Sequence, residues 1–179
     1  MKKKSLHGNL MVIHQLGVFI NGEPNIGKSE LTLALLDRGH QLVSDDVVDI
    51  RSDQQRLIGQ CPLLIQNFLL IHGIGMINIP RRYGEHAIER QCRVQLMLTL
   101  MQPHKMPISD NPLQPIQQEK TILNIPVPEI IFPAVSGKNL PLLIDTLVYN
   151  YRLKVEGYDA GTHFQKCQKK SLLDKKHDS

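Results

Sequence analysis

A chain of 179 residues, 41% of them hydrophobic and 21% charged, has the length and apolar content of one ordinary globular domain that needs no disulfide staples. Its net charge of +4 comes from the ends, because residues 5–165 hold 13 basic against 15 acidic side chains. With few, scattered aromatics as well, composition argues against a nucleic-acid surface, and Lys2, Lys3, Lys4, Lys166, Lys169, Lys170, Lys175 and Lys176 read as solvated ends.

In chain order, His7, Gly8, Asn9 and His14 interrupt the apolar residues after the opening lysines, so no signal peptide or membrane span is expected. Asn9–His14 and Gly17–Asn21 predict strands, the second apolar enough to be covered on both sides. This second strand runs into Gly22-Glu23-Pro24-Asn25-Ile26-Gly27-Lys28-Ser29, a complete G-x-x-x-x-G-K-[ST] loop. Backbone N–H groups turn inward around phosphates in such a loop, and Gly22 and Gly27 stand where a side chain would block the approach. Lys28 is placed to neutralise the outer phosphates and Ser29 to offer a hydroxyl to Mg²⁺, at the positive end of the following helix. Leu31, Ala34 and Leu35 mark the inner face of that helix, predicted over Lys28 to Arg38, with Gly39 as a left-handed stop.

Gln41–Ser44 predicts a short strand ending at Asp45-Asp46. Adjacent carboxylates there suit a phosphate-loop enzyme, one for the metal and one for the proton of a nucleophile, although either alone also suits a turn or helix cap. Val47–Arg51 and Arg56–Gln60 predict a hairpin around Ser52-Asp53-Gln54-Gln55, and a short helix or turn follows Cys61-Pro62. Phe68–Ile71 and Met76–Ile79 flank a Gly73-Ile74-Gly75 break that has the pattern of a functional loop.

Arg93–Met101 alternates as a strand with one buried face, and Pro103–Pro115 reads as a surface loop. Thr121–Phe132 returns to strand character, and Pro126 and Pro128 place it at an edge or bulge. Asn139 caps a helix whose inner face is Leu140, Leu143 or Ile144, Leu147 and Tyr151; a further helix starts near Asp159, and residues 166–179 are its end or a basic tail. Cys61, Cys92 and Cys167 lack a C-x-x-C pattern and read as free thiols of a reducing compartment. None of the eight histidines has zinc-site spacing, so each is expected in an ordinary surface or core role.

Taken together, Gly22 to Glu30 and Arg38-Gly39-His40-Gln41-Leu42-Val43-Ser44-Asp45-Asp46 resemble the catalytic domain of the bacterial HPr kinase/phosphorylase family. So does Phe68–Asn78, set against that family's L-E-I-R-G-L-G-I-I-N signature, and so do Gly137–Leu140, Tyr149–Lys154 and Gly157–Ala160. The resemblance implies an α/β P-loop kinase fold of the type shared with phosphoenolpyruvate carboxykinase, a mixed sheet with C-terminal helices. It implies a cytoplasmic serine kinase/phosphorylase of the phosphotransferase system, hexameric in relatives, with ATP or pyrophosphate as donor, Mg²⁺ as cofactor and HPr or a related serine-bearing carrier as partner. The match begins near Ser5-Leu6-His7-Gly8, which implies one catalytic domain over 1–179 without the family's N-terminal regulatory domain.

Carried over by position, the catalytic residues are His7, Lys28, Asp45 and Asp46, with Asp46 as the base; Gly22, Glu23, Pro24, Asn25, Ile26, Gly27, Lys28 and Ser29 bind the nucleotide, and Ser29 the metal. Leu70 stands where relatives have a metal-binding Glu, and His72 where they have Arg. A later arginine of relatives aligns near Asn111-Pro112, where this chain has none, and their segment V-P-V-R-P-G-R reads Phe132-Pro133-Ala134-Val135-Ser136-Gly137-Lys138, so that Val135 and Lys138 stand in place of its two arginines. These losses of charge set a second expectation beside the enzyme: a nucleotide-binding regulator with weakened or lost transfer, the phosphorylase direction suffering most.

Overall fold

The computed structural model describes residues 2–109, 111 and 114–177, with side chains as far as residue 170. Strands β1 (Lys3–His7), β2 (Asn9–Ile13) and β3 (Leu16–Gly22) lead into helix α1 (Lys28–Leu36), followed by β4 (Gln41–Ser44). Two hairpins come next, β5 (Val47–Asp53) with β6 (Arg56–Gln60) and β7 (Phe68–Ile71) with β8 (Gly75–Asn78). A short helix α2 (Ile79–Tyr83) precedes β9 (Gln91–Arg93), β10 (Leu96–Met101), β11 (Ile116–Ile122) and β12 (Ile125–Pro133), and helices α3 (Leu140–Val155) and α4 (Ala160–His177) follow.

Six strands form a mixed sheet in the order β11-β12-β10-β3-β2-β4, with β12, β10 and β3 parallel at its heart. Side chains alternate across a strand, so β3 directs Val18 and Ile20 to one face and Phe19 to the other. On the first face they meet Leu31 and Leu35 of α1 and Ile144 and Val148 of α3. On the second, Phe19 joins Leu10, Val48, Ile50 and Leu57, which seat the antiparallel sheet β1-β5-β6-β9 against the larger one. The result is three layers, each buried aliphatic side chain stabilising by roughly 1.5–3 kcal/mol over an exposed one.

Several expectations change. Lys2–Lys4 are no free tail: β1 pairs with β5 from Lys3 opposite Arg51 to His7 opposite Val47, and only the lysine side chains stay in water. Helix α1 stops at Leu36, short of Arg38, since the chain tightens there and Gly39 turns left-handed at φ 88°. β10 is buried on both faces, with Leu98 inward to the helices and Met97 to the second sheet, because it lies between two parallel neighbours. The predicted strand over Thr121–Phe132 is a hairpin that turns at Leu123-Asn124, where φ is 50° and 66°. Pro126 and Pro128 fit because β12 meets β10 only from Glu129 onward, leaving its first half without a neighbour on that side. On α3 the inner position is Ile144 and not Leu143, which is 39% exposed, and Val148 joins it.

Asn139 caps α3 through Leu142 N–H at 3.2 Å, and Asp159 receives Thr162 N–H at 2.7 Å before α4, both where the sequence placed helix starts. The backbone of residues 166–177 is helical. The three cysteines are free thiols, and among the described residues no helix is long and apolar enough to cross a membrane.

Candidate active site

β3 runs from the sheet core into the Gly22–Gly27 loop, and α1 begins at Lys28. Gly22 adopts φ 155°, and a Cβ there would come within 2.9 Å of the Leu100 carbonyl on β10, so no side chain fits. Gly27 at φ 97° turns the loop into α1 without a side-chain cap, which leaves the first N–H groups of the helix to face a ligand. Lys28 is mostly buried, and its Nζ donates to the carbonyls of Gly22 and Glu23, both at 3.0 Å. The ammonium is thus held over the loop by backbone dipoles. Glu23 Oε1 pairs with Lys105 Nζ at 2.5 Å on the outer rim, an exposed contact of little energetic weight.

The two carboxylates after β4 part company. Asp45 is buried; its Oδ1 accepts from Ser29 Oγ at 3.5 Å and its Oδ2 from Leu70 N–H at 3.1 Å. Burial pushes its carboxyl above the ordinary carboxylate range, with Asp46 adding to the effect and the Leu70 N–H opposing it. Asp46 takes the left-handed conformation, φ 67°, which sends its side chain the other way, 66% exposed. There its Oδ1 lies 3.4 Å from Nε2 of His7, the last residue of β1. Asn9, fully buried, fixes this turn: its Oδ1 accepts from Asp46 N–H at 3.1 Å and its Nδ2 donates to Thr32 Oγ1 of α1 at 2.9 Å.

The β7–β8 hairpin forms the facing wall. Leu69 and Ile71 point into the core, so strand alternation turns Leu70, 54% exposed, outward over a cleft of about 740 Å³. His7, Lys28, Ser29, Asp45, Asp46 and Leu70 border this cleft. Pro24, Asn25 and Gly27 line it too, whereas Gly22, Glu23 and Ile26 are not among its walls. His72 also faces the cleft; Val135 and Lys138 lie on the β12–α3 connection away from its walls, and Pro112 is outside the described residues. Asn9 and the Leu70 N–H escaped the sequence reading, because a buried asparagine within an apolar strand and a backbone donor carry no motif.

A family model described as HPr Serine kinase C-terminal domain matches residues 1–168. The HPr kinase/phosphorylase of Nitrosomonas europaea is 39% identical over 160 residues, covering 88% of this chain and 50% of that protein. That of Azoarcus sp. is 38% identical over 175 residues, covering 96% of this chain and 55% of that one. The chain therefore spans about half the length of the curated relatives it matches. The solved HPr(Ser) kinase/phosphatase of Coxiella burnetii superposes with a TM-score of 0.84 at 52% identity, covering 90% of this chain and 98% of that chain.

Proposed function

Since the chain belongs to the HPr serine kinase C-terminal domain family, we propose that it moves a phosphoryl group between ATP and a serine hydroxyl of HPr or a related carrier. The observation that carries this reading is the cleft itself, where the loop lysine, a buried carboxylate and an exposed carboxylate face one space. The donors fit the group expected: the Ser29 hydroxyl and the Asp45 carboxylate are hard oxygens beside the phosphate cradle, as Mg²⁺ with a bound nucleotide requires. Bound there, Mg²⁺ would neutralise charge on the transferring phosphate. Lys28 holds the phosphates at the helix end. Asp46, open to the cleft, accepts the proton of the incoming serine hydroxyl, and His7 beside it orients that carboxylate; in the reverse direction Asp46 returns the proton.

Leu70 favours a second reading, a nucleotide-binding regulator with weak transfer, because it puts carbon on the cleft wall where the family resemblance implies a metal-binding Glu. Transfer of labelled γ-phosphate from ATP to HPr, run beside a nucleotide-binding titration, separates the two. Transfer supports the kinase, and binding without transfer supports the regulator. Absence of both overturns the site.

A further inference from the structure

The cleft occupies the end of the sheet to which β3 and β4 deliver their last residues. At the opposite end, roughly 20 Å away along β3, three residues from separate elements converge. His14 lies in the β2–β3 turn, His40 just before β4, and Asp145 on α3. The Nε2 atoms of His14 and His40 stand 2.9 and 2.6 Å from the same oxygen, Asp145 Oδ1. One ligand atom from each residue lies within 4.8 Å of the others. His40 is 9% exposed, and the side chains of His14 and Asp145 are 24% and 22% exposed, so the cluster is held by packing while one side still reaches water. The two rings meet edge-on with centroids 4.7 Å apart, and Tyr149 supports His14 at 5.0 Å.

We propose that His14, His40 and Asp145 bind one divalent transition ion of the zinc class, outside the phosphoryl-transfer cleft. Two imidazoles with one carboxylate select Zn²⁺, Co²⁺ or Ni²⁺ over Mg²⁺ and Ca²⁺, which prefer oxygen alone. Tetrahedral bonds of about 2.0–2.1 Å separate ligand atoms by about 3.3 Å, so the 2.9 and 2.6 Å contacts to Asp145 lengthen by about 0.4 and 0.7 Å as the two ring nitrogens, within 4.8 Å of each other, settle at that same spacing around the ion. The fourth position falls to water on the exposed side. Each Nε2 must give up its hydrogen on binding: a neutral ring carries the proton on Nδ1 instead, and an imidazolium releases one to solvent. Affinity therefore falls in acid. Arg38 beside His40 and Arg152, whose Nη1 donates to the His14 carbonyl at 3.4 Å, oppose the added charge, against which Asp145 supplies its carboxylate. An ion so held staples α3 to this end of the sheet, at the β2–β3 turn and the start of β4.

The test uses the full chain stripped by a chelator and titrated with Co²⁺ in the absence of nucleotide, followed by Zn²⁺ competition and thermal unfolding. One equivalent of Co²⁺ should develop the visible absorption of a tetrahedral site, and Zn²⁺ should quench it. Tm should rise with the logarithm of free Zn²⁺. His14→Gln and Asp145→Asn should abolish the absorption, while the double variant His7→Gln, Asp46→Asn at the cleft retains it. His14→Cys serves as the rescue: a thiolate in place of the imidazole should restore binding and add a sulfur-to-cobalt charge-transfer band. Lack of any absorption or Tm response to Co²⁺, Zn²⁺ and Ni²⁺ overturns the proposal. So does a signal that survives His14→Gln, or one that disappears with the cleft variant.

Discussion

Two neighbouring aspartates with opposite surroundings give the clearest residue-level predictions. Asp45 keeps its carboxyl above the usual range because burial disfavours the charge, so in the folded state the proton is held more tightly than in the unfolded chain. Its ionisation thus lowers stability as pH rises from the unfolded value through the raised folded one. Asp45→Asn keeps an acceptor for the Leu70 N–H and should raise Tm at pH 7. The gain should vanish below about pH 4, while Mg²⁺-dependent nucleotide affinity falls; thermal melts of both proteins across pH read this directly. A variant less stable than the parent at pH 7 would remove the argument. Asp46→Asn, by contrast, lies in water and should leave Tm and ATP affinity nearly unchanged while transfer to HPr is lost. Lys28→Ala should weaken ATP binding by roughly ten- to a hundredfold, the worth of a charge-assisted hydrogen bond to phosphate, in calorimetry on a protein whose circular dichroism is unaltered. At this scale the glycines, lysine and serine of the loop were legible because each has one steric or electrostatic task at a fixed spacing. Asn9 was not, since its task is defined only when β2, the Asp45-Asp46 turn and α1 meet.

Elements were legible where local pattern and final environment agree. The apolar run of β3 and the capped start of α3 announced themselves, whereas the β11–β12 hairpin did not, because its turn puts a leucine at φ 50° where Asn-Gly is the usual signal. The same shape recurs at His14-Gln15 and Gln54-Gln55, again without glycine. The β7–β8 hairpin carries the element-level prediction. Leu70 faces outward between two core residues, so Leu70→Glu should cost little stability, and it should steepen the Mg²⁺ dependence of nucleotide binding by adding a hard oxygen to the cleft wall. Denaturant melts and a Mg²⁺ titration of that variant check both parts; a large loss of stability would mean that Leu70 packs inward. On α3, Ile144→Ala should cost about 2–5 kcal/mol and Leu143→Ala well under 1 kcal/mol. Helical periodicity alone left those two positions undecided, and the sheet beneath decides between them.

For the whole molecule, the layered α/β architecture was legible from the strand–loop–helix–strand order, but the second sheet needed β1, which composition had disguised as a charged tail. Lysines at a sheet edge are compatible with pairing on one side and discourage it on the other. That edge strand has a mechanical side. Its five rungs against β5 run from Lys3 to His7, so a pull on the N-terminus peels it like a zip, one rung at a time. The load reaches His7 last, and Gly8 N–H, bonded to the Asp46 carbonyl at 2.9 Å, is the stop beyond it. His7, paired with Val47 on the last rung, is thus the residue of β1 farthest from the frayable end, and its place beside Asp46 depends on that rung and the Gly8 bond rather than on the first ones.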